Sequence, residues 1–132
     1  MTADGRRNIS SGGPWEAAVG YSRAVVVGDT CVVAGTTDAG PEGRSLHPDD
    51  PAGQARAVLV AIESALAQAG FSMVDVVRTR MFVTDISRAG EVLQVHGDVF
   101  REIRPAATIV EVRALLEPSL LVEIEVDARR AR

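Results

Sequence analysis

The chain has 132 residues, of which 46% are hydrophobic and 24% charged, as expected for one globular domain with its own apolar core. Its net charge of −4 argues against a protein that binds the nucleic-acid backbone, because neutralising phosphates requires a basic surface. All 14 basic residues are arginines, which excludes a lysine Schiff base, lysine-bound pyridoxal phosphate and a P-loop.

Metal and cofactor motifs are also missing from the sequence. The single cysteine, Cys31, permits neither an internal disulfide nor a cysteine metal cluster, and two histidines are too few for a histidine-rich zinc site. No run approaches the ~18 apolar residues of a membrane span, and the first residues lack the apolar core of a signal peptide. We therefore expect a cytoplasmic protein with no metal, no cofactor, no nucleic-acid partner and no membrane partner.

The first third of the chain predicts a lead-in, a hairpin and a loop. Residues 8–24 are rich in Gly, Ser and Pro, which favours an ordered lead-in rather than a helix. Two β-branched runs flank Gly28 and Asp29, as is typical of a β-hairpin over 24–37. Turn-forming residues fill 38–51 and predict a surface loop.

A helix is predicted next, with Asp50 as its N-cap, Pro51 in its first turn and Gly70 after its end. Its apolar stripe consists of Val58, Leu59, Ile62, Ala65, Leu66 and Ala69. Polar residues outside that stripe are Gln54, Arg56, Glu63 and Gln68. Such a stripe must be covered, most simply by a sheet.

Three more strands and a second helix complete the predicted fold. In the strand within 73–86, alternation places Val77, Thr79, Met81 and Val83 on one face and Val76, Arg78, Arg80 and Phe82 on the other. A helix opens at Ser87 and continues through Val92, Val95, Val99 and Phe100. Strands follow over 107–113 and 121–126, which gives the order β-β-α-β-α-β-β in a single domain over 1–132, with flexible ends at about 1–8 and 128–132.

Alternation in the last two strands predicts two different sheet faces. The apolar face that can accept both helices consists of Thr108, Val110, Val112, Leu120, Val122, Ile124 and Val126. The other face consists of Ile109, Glu111, Arg113, Glu123, Glu125 and Asp127. This mixed face is either solvated, as in many antiparallel sheets, or a subunit interface with paired charges.

Six stretches in order resemble the Rid family (reactive intermediate deaminases, also called the YjgF family). They are "GYSRAV" at 20–25, "CVVAGTT" at 31–37, "QARAVLVAIESALAQAG" at 54–70, "DVVRTRMFVTDI" at 75–86, "RPAATIVEV" at 104–112 and "LVEIEV" at 121–126. The resemblance implies a chorismate-mutase-like α+β domain with a mixed sheet, two helices on one face and a homotrimer formed through the other face. It also implies small-molecule sites in clefts between subunits.

The resemblance also implies roles for particular residues. The best-known branch, the RidA type, hydrolyses enamines and imines, and its substrate carboxylate is held by an arginine at the position of Ala107. This chain is therefore similar to a divergent branch without that arginine. The glutamate that holds the attacking water in that branch matches Glu123, the catalytic candidate here. Further substrate-binding candidates are Tyr21, Gly35, Thr36, Ala107, Thr108, Ile109, Trp15 and Arg80.

Each of these candidates has an ordinary structural alternative. Glu123 could pair with an arginine across the sheet, and Arg80 could form an ion pair with Glu111 or Glu125. Arg104 could also replace the missing arginine, or it could be a solvated loop charge. Trp15 could pack over the edge of the core.

Two function classes follow. The first is a hydrolase or deaminase acting on a small imine, enamine or related metabolite, with a neutral or bulkier ligand than the RidA type prefers. The second is a non-catalytic metabolite-binding or chaperone-like trimer. Hydrolysis of an imine requires one oriented water and one group that accepts and returns a proton, so a single carboxylate could suffice.

Overall fold

The computed structural model describes residues 5–131, which form one mixed sheet with helices packed on one face. Its elements are β1 (Arg6–Ile9), α1 (Trp15–Val19), β2 (Ala24–Val27), β3 (Thr30–Thr36), α2 (Pro51–Gln68), β4 (Val76–Val83), α3 (Ala89–Phe100), β5 (Ala106–Glu111) and β6 (Val122–Arg129). The strand order is β1-β2-β3-β6-β4-β5, in which only the β4–β5 pair is parallel. This arrangement confirms the predicted chorismate-mutase-like α+β fold.

The predicted hairpin and the predicted helix that follows it, α2, are confirmed with one correction. Gly28 has a φ of 58°, a left-handed conformation that glycine adopts without strain in a two-residue turn. Asp50 caps α2 by accepting a hydrogen bond from the Gly53 amide at 2.9 Å. The predicted stripe of α2 is buried, but Gln54, which was predicted outside it, is fully buried as well. Its amide hydrogen-bonds loop backbone, a role that helical periodicity does not indicate.

The N-terminal part of the chain contains more regular structure than predicted. Arg6–Ile9 forms a sixth strand that pairs with β2, and Trp15–Val19 is a short helix inside the predicted lead-in. At the other end, β6 continues to Arg129. The expected flexible ends at about 1–8 and 128–132 therefore include strand residues, while residues 1–4 and 132 lie outside the described part of the chain.

A register shift in β4 corrects one predicted face. Thr79, Met81 and Val83 are buried against the helices as predicted, but Val76 is buried and Val77 is exposed. The pairing of β4 with β6 shifts between Val76 and Arg78, and an extra residue of this kind reverses the alternation on one side of the irregularity.

The predicted faces of β6 are confirmed, whereas those of β5 are reversed. Val122, Ile124 and Val126 are buried under the helices, and their neighbours Glu123, Glu125 and Asp127 lie on the opposite, open face of the sheet. In β5, Ile109 is opposite the buried Met81 and packs against the core, so it lies on the helix side. Val110 is opposite Phe82, is 42% exposed and lies on the open face, as does its neighbour Thr108 opposite Arg80.

Candidate functional site

Glu123 lies in an open cavity of about 350 Å³ on the open face of the sheet. The cavity is lined by Gly35, Phe82, Val112, Ala114, Leu115, Glu123 and Glu125. Because most of these residues are apolar or have no side chain, the carboxyl group of Glu123 borders a surface that solvates it poorly. Burial accordingly raises the pKa of Glu123, and the charge of Glu125 raises it further.

Gly35 is in direct contact with the Glu123 side chain. It belongs to β3, whose register with β6 shifts between Val33 and Thr36. A Cβ atom at position 35 would lie 3.0 Å from Glu123 Cδ and closer still to Oε2, so any larger residue would displace the carboxylate. The contact between Gly35 and Glu123 therefore depends on the absence of a side chain at position 35. These two predicted site residues lie side by side within one chain.

Arg23 also belongs to this site, although no sequence motif identifies it. Its Nη2 donates to the carbonyl oxygen of Gly35 at 2.6 Å, and its positive charge opposes the rise in the pKa of Glu123. The sequence does contain one indication of its role, because Arg23 lies within the "GYSRAV" stretch that carries the resemblance. No spacing rule distinguishes it from the other 13 arginines, so only the structure identifies it.

Ion pairs occupy the open face beside the cavity. Arg80 Nη1 lies 3.4 Å from Glu125 Oε1 and 3.3 Å from Asp127 Oδ2, and Arg78 Nε lies 4.0 Å from the same Asp127 oxygen. The ion pair predicted between Arg80 and Glu125 is therefore present. Within residues 5–131, Glu123 forms neither a hydrogen bond nor an ion pair, so the predicted alternative of a pairing role with Arg78, Arg80 or Arg113 does not occur.

Ala107 lies far from Glu123 within one chain. Ala107 is opposite Thr79 in β4, whereas Glu123 is opposite Phe82, three residues further along the strand. With two strand spacings between them, the two positions are about 14 Å apart, and they lie on opposite faces of the sheet. A shared site for Ala107 and Glu123 therefore requires a second subunit.

The remaining predicted substrate-binding residues do not line the Glu123 cavity. Trp15 in α1 is 67% exposed and Tyr21 is 42% exposed. Thr36 is buried opposite Ile124, and its hydroxyl donates to the carbonyl oxygen of Ala34 at 2.8 Å.

His96 and Cys31 are two further reactive side chains, and each is held in a structural environment. His96 Nε2 lies 2.8 Å from the hydroxyl of the buried Thr79, and burial lowers the pKa of His96. Burial likewise raises the pKa of the Cys31 thiol in β3, which makes it a poor nucleophile. No group of three or more His, Cys, Asp and Glu residues within 5–131 is placed to hold a metal ion. None of the described helices is both long and apolar enough to cross a membrane.

Comparison with known proteins agrees with this fold. The sequence model of the family described as "Endoribonuclease L-PSP" matches residues 14–130. An uncharacterized protein of Streptomyces coelicolor, SCO2049, is 34% identical over 131 residues, which are 98% of this chain and 96% of that protein.

Solved structures are similar over nearly the whole chain. Rv2704 of Mycobacterium tuberculosis, described as a member of the YjgF/YER057c/UK114 family, has a TM-score of 0.86 and 54% identity, covering 95% of this chain and 99% of that one. YyfA of Yersinia pestis, described as a protein of unknown function of the conserved Rid protein family, has a TM-score of 0.80 and 32% identity, with 95% and 99% coverage. The chain belongs to the Rid (YjgF, endoribonuclease L-PSP) family.

Proposed function

We propose that this protein is a hydrolase that deaminates a small reactive imine, enamine or related metabolite, and that Glu123 is its catalytic residue. The observation that carries the proposal is the contact between Glu123 and Gly35 in a partly apolar cavity, with no hydrogen bond or ion pair to Glu123 from residues 5–131. A carboxyl group with a raised pKa can both accept and return a proton, which a carboxylate fixed in an ion pair does poorly.

The reaction requires two proton transfers at one group. The Glu123 carboxylate accepts a proton from a water molecule as the water oxygen bonds to the carbon of a protonated imine, and the electrons of the C=N π bond move to nitrogen. Glu123 then returns that proton to the amine nitrogen of the tetrahedral intermediate. The C–N bond breaks, the carbinol oxygen forms the C=O bond and loses its proton to the departing ammonia, and an ammonium ion and a carbonyl product leave.

The assembly is part of the proposal, as a homotrimer joined through the open face of the sheet. Apolar side chains are exposed on this face, among them Val27 at 51%, Val32 at 43% and Val110 at 42%, next to the ion pairs of Arg78 and Arg80. Apolar patches with charged neighbours are typical of subunit interfaces. In such an assembly the ligand cleft lies between subunits, where the predicted residues Tyr21, Trp15, Thr36, Ala107, Thr108, Ile109 and Arg80 would contribute from one chain or the other.

Ala107 also favours a second candidate, a metabolite-binding or chaperone-like trimer without turnover. Alanine offers neither charge nor a hydrogen-bond donor to a ligand carboxylate. If nothing else in the cleft orients a substrate, the scaffold binds without catalysing. A cytoplasmic location without metal or cofactor is part of both candidates.

Trapping imines as semicarbazones, as they are produced by an amine oxidase (neutral imines) or an amino-acid oxidase (2-imino acids), tests the proposal. The native protein should reduce the trapped fraction, and Glu123→Gln should lower this effect by about 100-fold or more, the usual contribution of a general base. Glu63→Gln, an exposed substitution on α2, is the matched control. No acceleration by the native protein across acidic, neutral and bulky imines would instead support the binding candidate.

A further inference from the structure

Arg23 is attached at two points to the strand that faces Glu123. It immediately precedes β2, and its backbone carbonyl accepts a hydrogen bond from the amide of Ala34 at 2.9 Å. Its side chain reaches the next residue of β3, where Nη2 donates to the carbonyl oxygen of Gly35 at 2.6 Å. Gly35 is the residue that contacts the Glu123 carboxylate. Arg23 therefore holds β3 in place where its pairing with β6 is irregular.

The charge of Arg23 is not neutralised by a direct ion pair. Within residues 5–131, no carboxylate oxygen lies within 4.0 Å of its guanidinium nitrogens, and its buried Nε has no hydrogen-bond partner. Arg80, another cation of the open face, is engaged by both Glu125 and Asp127. The charges that act on Glu123 include Arg23 from the segment before β2 and Glu125 from β6, and the charge of Arg23 also acts on Glu16 of α1.

We propose that Arg23 is the positioning residue of the Glu123 site: its guanidinium fixes Gly35 against the carboxylate and supplies the positive charge that opposes Glu125. The catalytic consequence rests on the proposed function, but the placement does not. A purely structural arginine would stabilise β3 and leave the ionisation of Glu123 unchanged, so the two roles make different predictions.

Carbon-13 NMR of the glutamate side chains, with the Glu123 signal assigned through Glu123→Gln, measures that ionisation directly. Arg23→Gln should move the titration midpoint of Glu123 to higher pH and shift the amide signal of Gly35. Arg23→Lys, which keeps the charge, should leave the midpoint close to that of the native protein. Arg7→Gln is the matched control, because Arg7 also donates to a backbone carbonyl, that of Ala69 at 2.7 Å, but it is not among the groups that influence Glu123.

A reciprocal measurement covers the case in which Arg23→Gln does not fold. The buried Nε–H of Arg23 should give an NMR signal whose chemical shift changes in Glu123→Gln and stays the same in Glu63→Gln. An unchanged Glu123 midpoint in folded Arg23→Gln, or an unchanged Arg23 signal in Glu123→Gln, would overturn the positioning role.

The proposed function and the positioning role of Arg23 can be rejected independently of each other. If the native protein shows no turnover while the Glu123 midpoint still depends on Arg23, only the deaminase proposal is rejected. If turnover is present, the acid limb of the profile of kcat/KM against pH should move to higher pH in Arg23→Gln.

Discussion

Gln54 accepts a hydrogen bond from the backbone amide of Leu121 at 2.8 Å, so a side chain of α2 fixes the residue that immediately precedes β6. Its Nε2 also donates to the carbonyl oxygens of Ser119 at 2.9 Å and His47 at 3.1 Å. One buried amide thus joins a helix, the loop before it and the loop that leads into the strand carrying Glu123. The position of the candidate site depends on this connection.

We expect Gln54→Ala to destabilise the protein by about 2–4 kcal/mol, because it leaves buried backbone groups without partners. Urea unfolding measures the change, and Gln68→Ala serves as the control. Gln68 is on the same helix but exposed, so its loss should cost at most about 0.5 kcal/mol. Equal effects of the two substitutions would show that the buried amide has no special role.

Gly35→Ala should damage the site more than the fold. The new methyl group would meet the Glu123 carboxyl group, which can move because it borders an open cavity. We therefore expect a small change in the melting temperature together with a loss of turnover of about tenfold or more, since misplacing a catalytic group is costly. Gly97→Ala on α3 is the control, because apart from its chain neighbours and the backbone of its own helix no atom lies within 4 Å of a Cβ there. Full activity in Gly35→Ala would contradict the placement of the site.

Glu123 should make the stability depend on pH in a particular direction. Burial raises its pKa in the folded state above the ordinary value of 4.5, so the folded protein binds the proton more tightly than the unfolded chain. The contribution of protonated Glu123 to the free energy of unfolding is fully present below pH 4.5. It is lost as the pH rises through the folded-state pKa. Glu123→Gln should therefore raise the melting temperature at pH 7 and leave it unchanged at pH 4. A loss of stability at pH 7 would contradict this assignment.

His96 should act in the opposite sense. Burial lowers its pKa below the ordinary value of 6.5, so the unfolded chain binds this proton more readily. The stability due to neutral His96 is present above pH 6.5 and is lost as the pH falls through the folded-state pKa. Melting temperatures between pH 7.5 and 5 should fall less steeply in His96→Gln than in the native protein. Gln94→Ala, an exposed substitution on the same helix, is the control.

The sequence pattern predicted the faces of those strands that have helices on one side and an open surface on the other. Strand β6 alternates strictly, because Val122, Ile124 and Val126 lie under helices while Glu123 and Glu125 do not. The same contrast predicted the position of Glu123 on the open face. Strand β5 is at the sheet edge and mostly exposed on both faces, so its alternation carries no information about which side faces the helices.

Pairing irregularities account for most of the other differences. The register shift near Val77 and the one near Gly35 depend on how β6 pairs with β4 and β3, which local sequence does not encode. Arg23 was missed for the same reason, since its role exists only where the β3 irregularity brings Gly35 and Glu123 together. The face of a strand is thus predictable from local sequence, whereas a site formed at a bulge is not.

Size-exclusion chromatography with light scattering checks the proposed assembly. We expect a mass three times the 14.0 kDa of one chain. Val110→Glu should dissociate the trimer, because it places a charge on an exposed apolar position of the open face. Val60→Glu is the control on the outer surface of α2, where valine is 67% exposed. A native protein that elutes as a monomer would refute the inter-subunit cleft.

Ala107→Arg should convert the specificity of the site if Ala107 and Glu123 meet across subunits. Position 107 is exposed on the edge strand, so an arginine can be accommodated without disturbing the core. A charged hydrogen bond to a substrate carboxylate is worth about 1.5–3 kcal/mol, which predicts a gain of about 10- to 100-fold in kcat/KM for 2-imino acids and little change for neutral imines.

Two matched variants identify the cause of such a gain. Ala107→Gln offers a side chain of similar reach without the charge, and Val60→Arg places the same charge on the outer surface of α2. Both should leave the preference for neutral over acidic imines unchanged. An equal gain in Val60→Arg would point to general attraction of anions rather than a bound carboxylate. No gain in Ala107→Arg, in a protein shown to be trimeric and active, would mean that residue 107 lies outside the cleft that Glu123 serves.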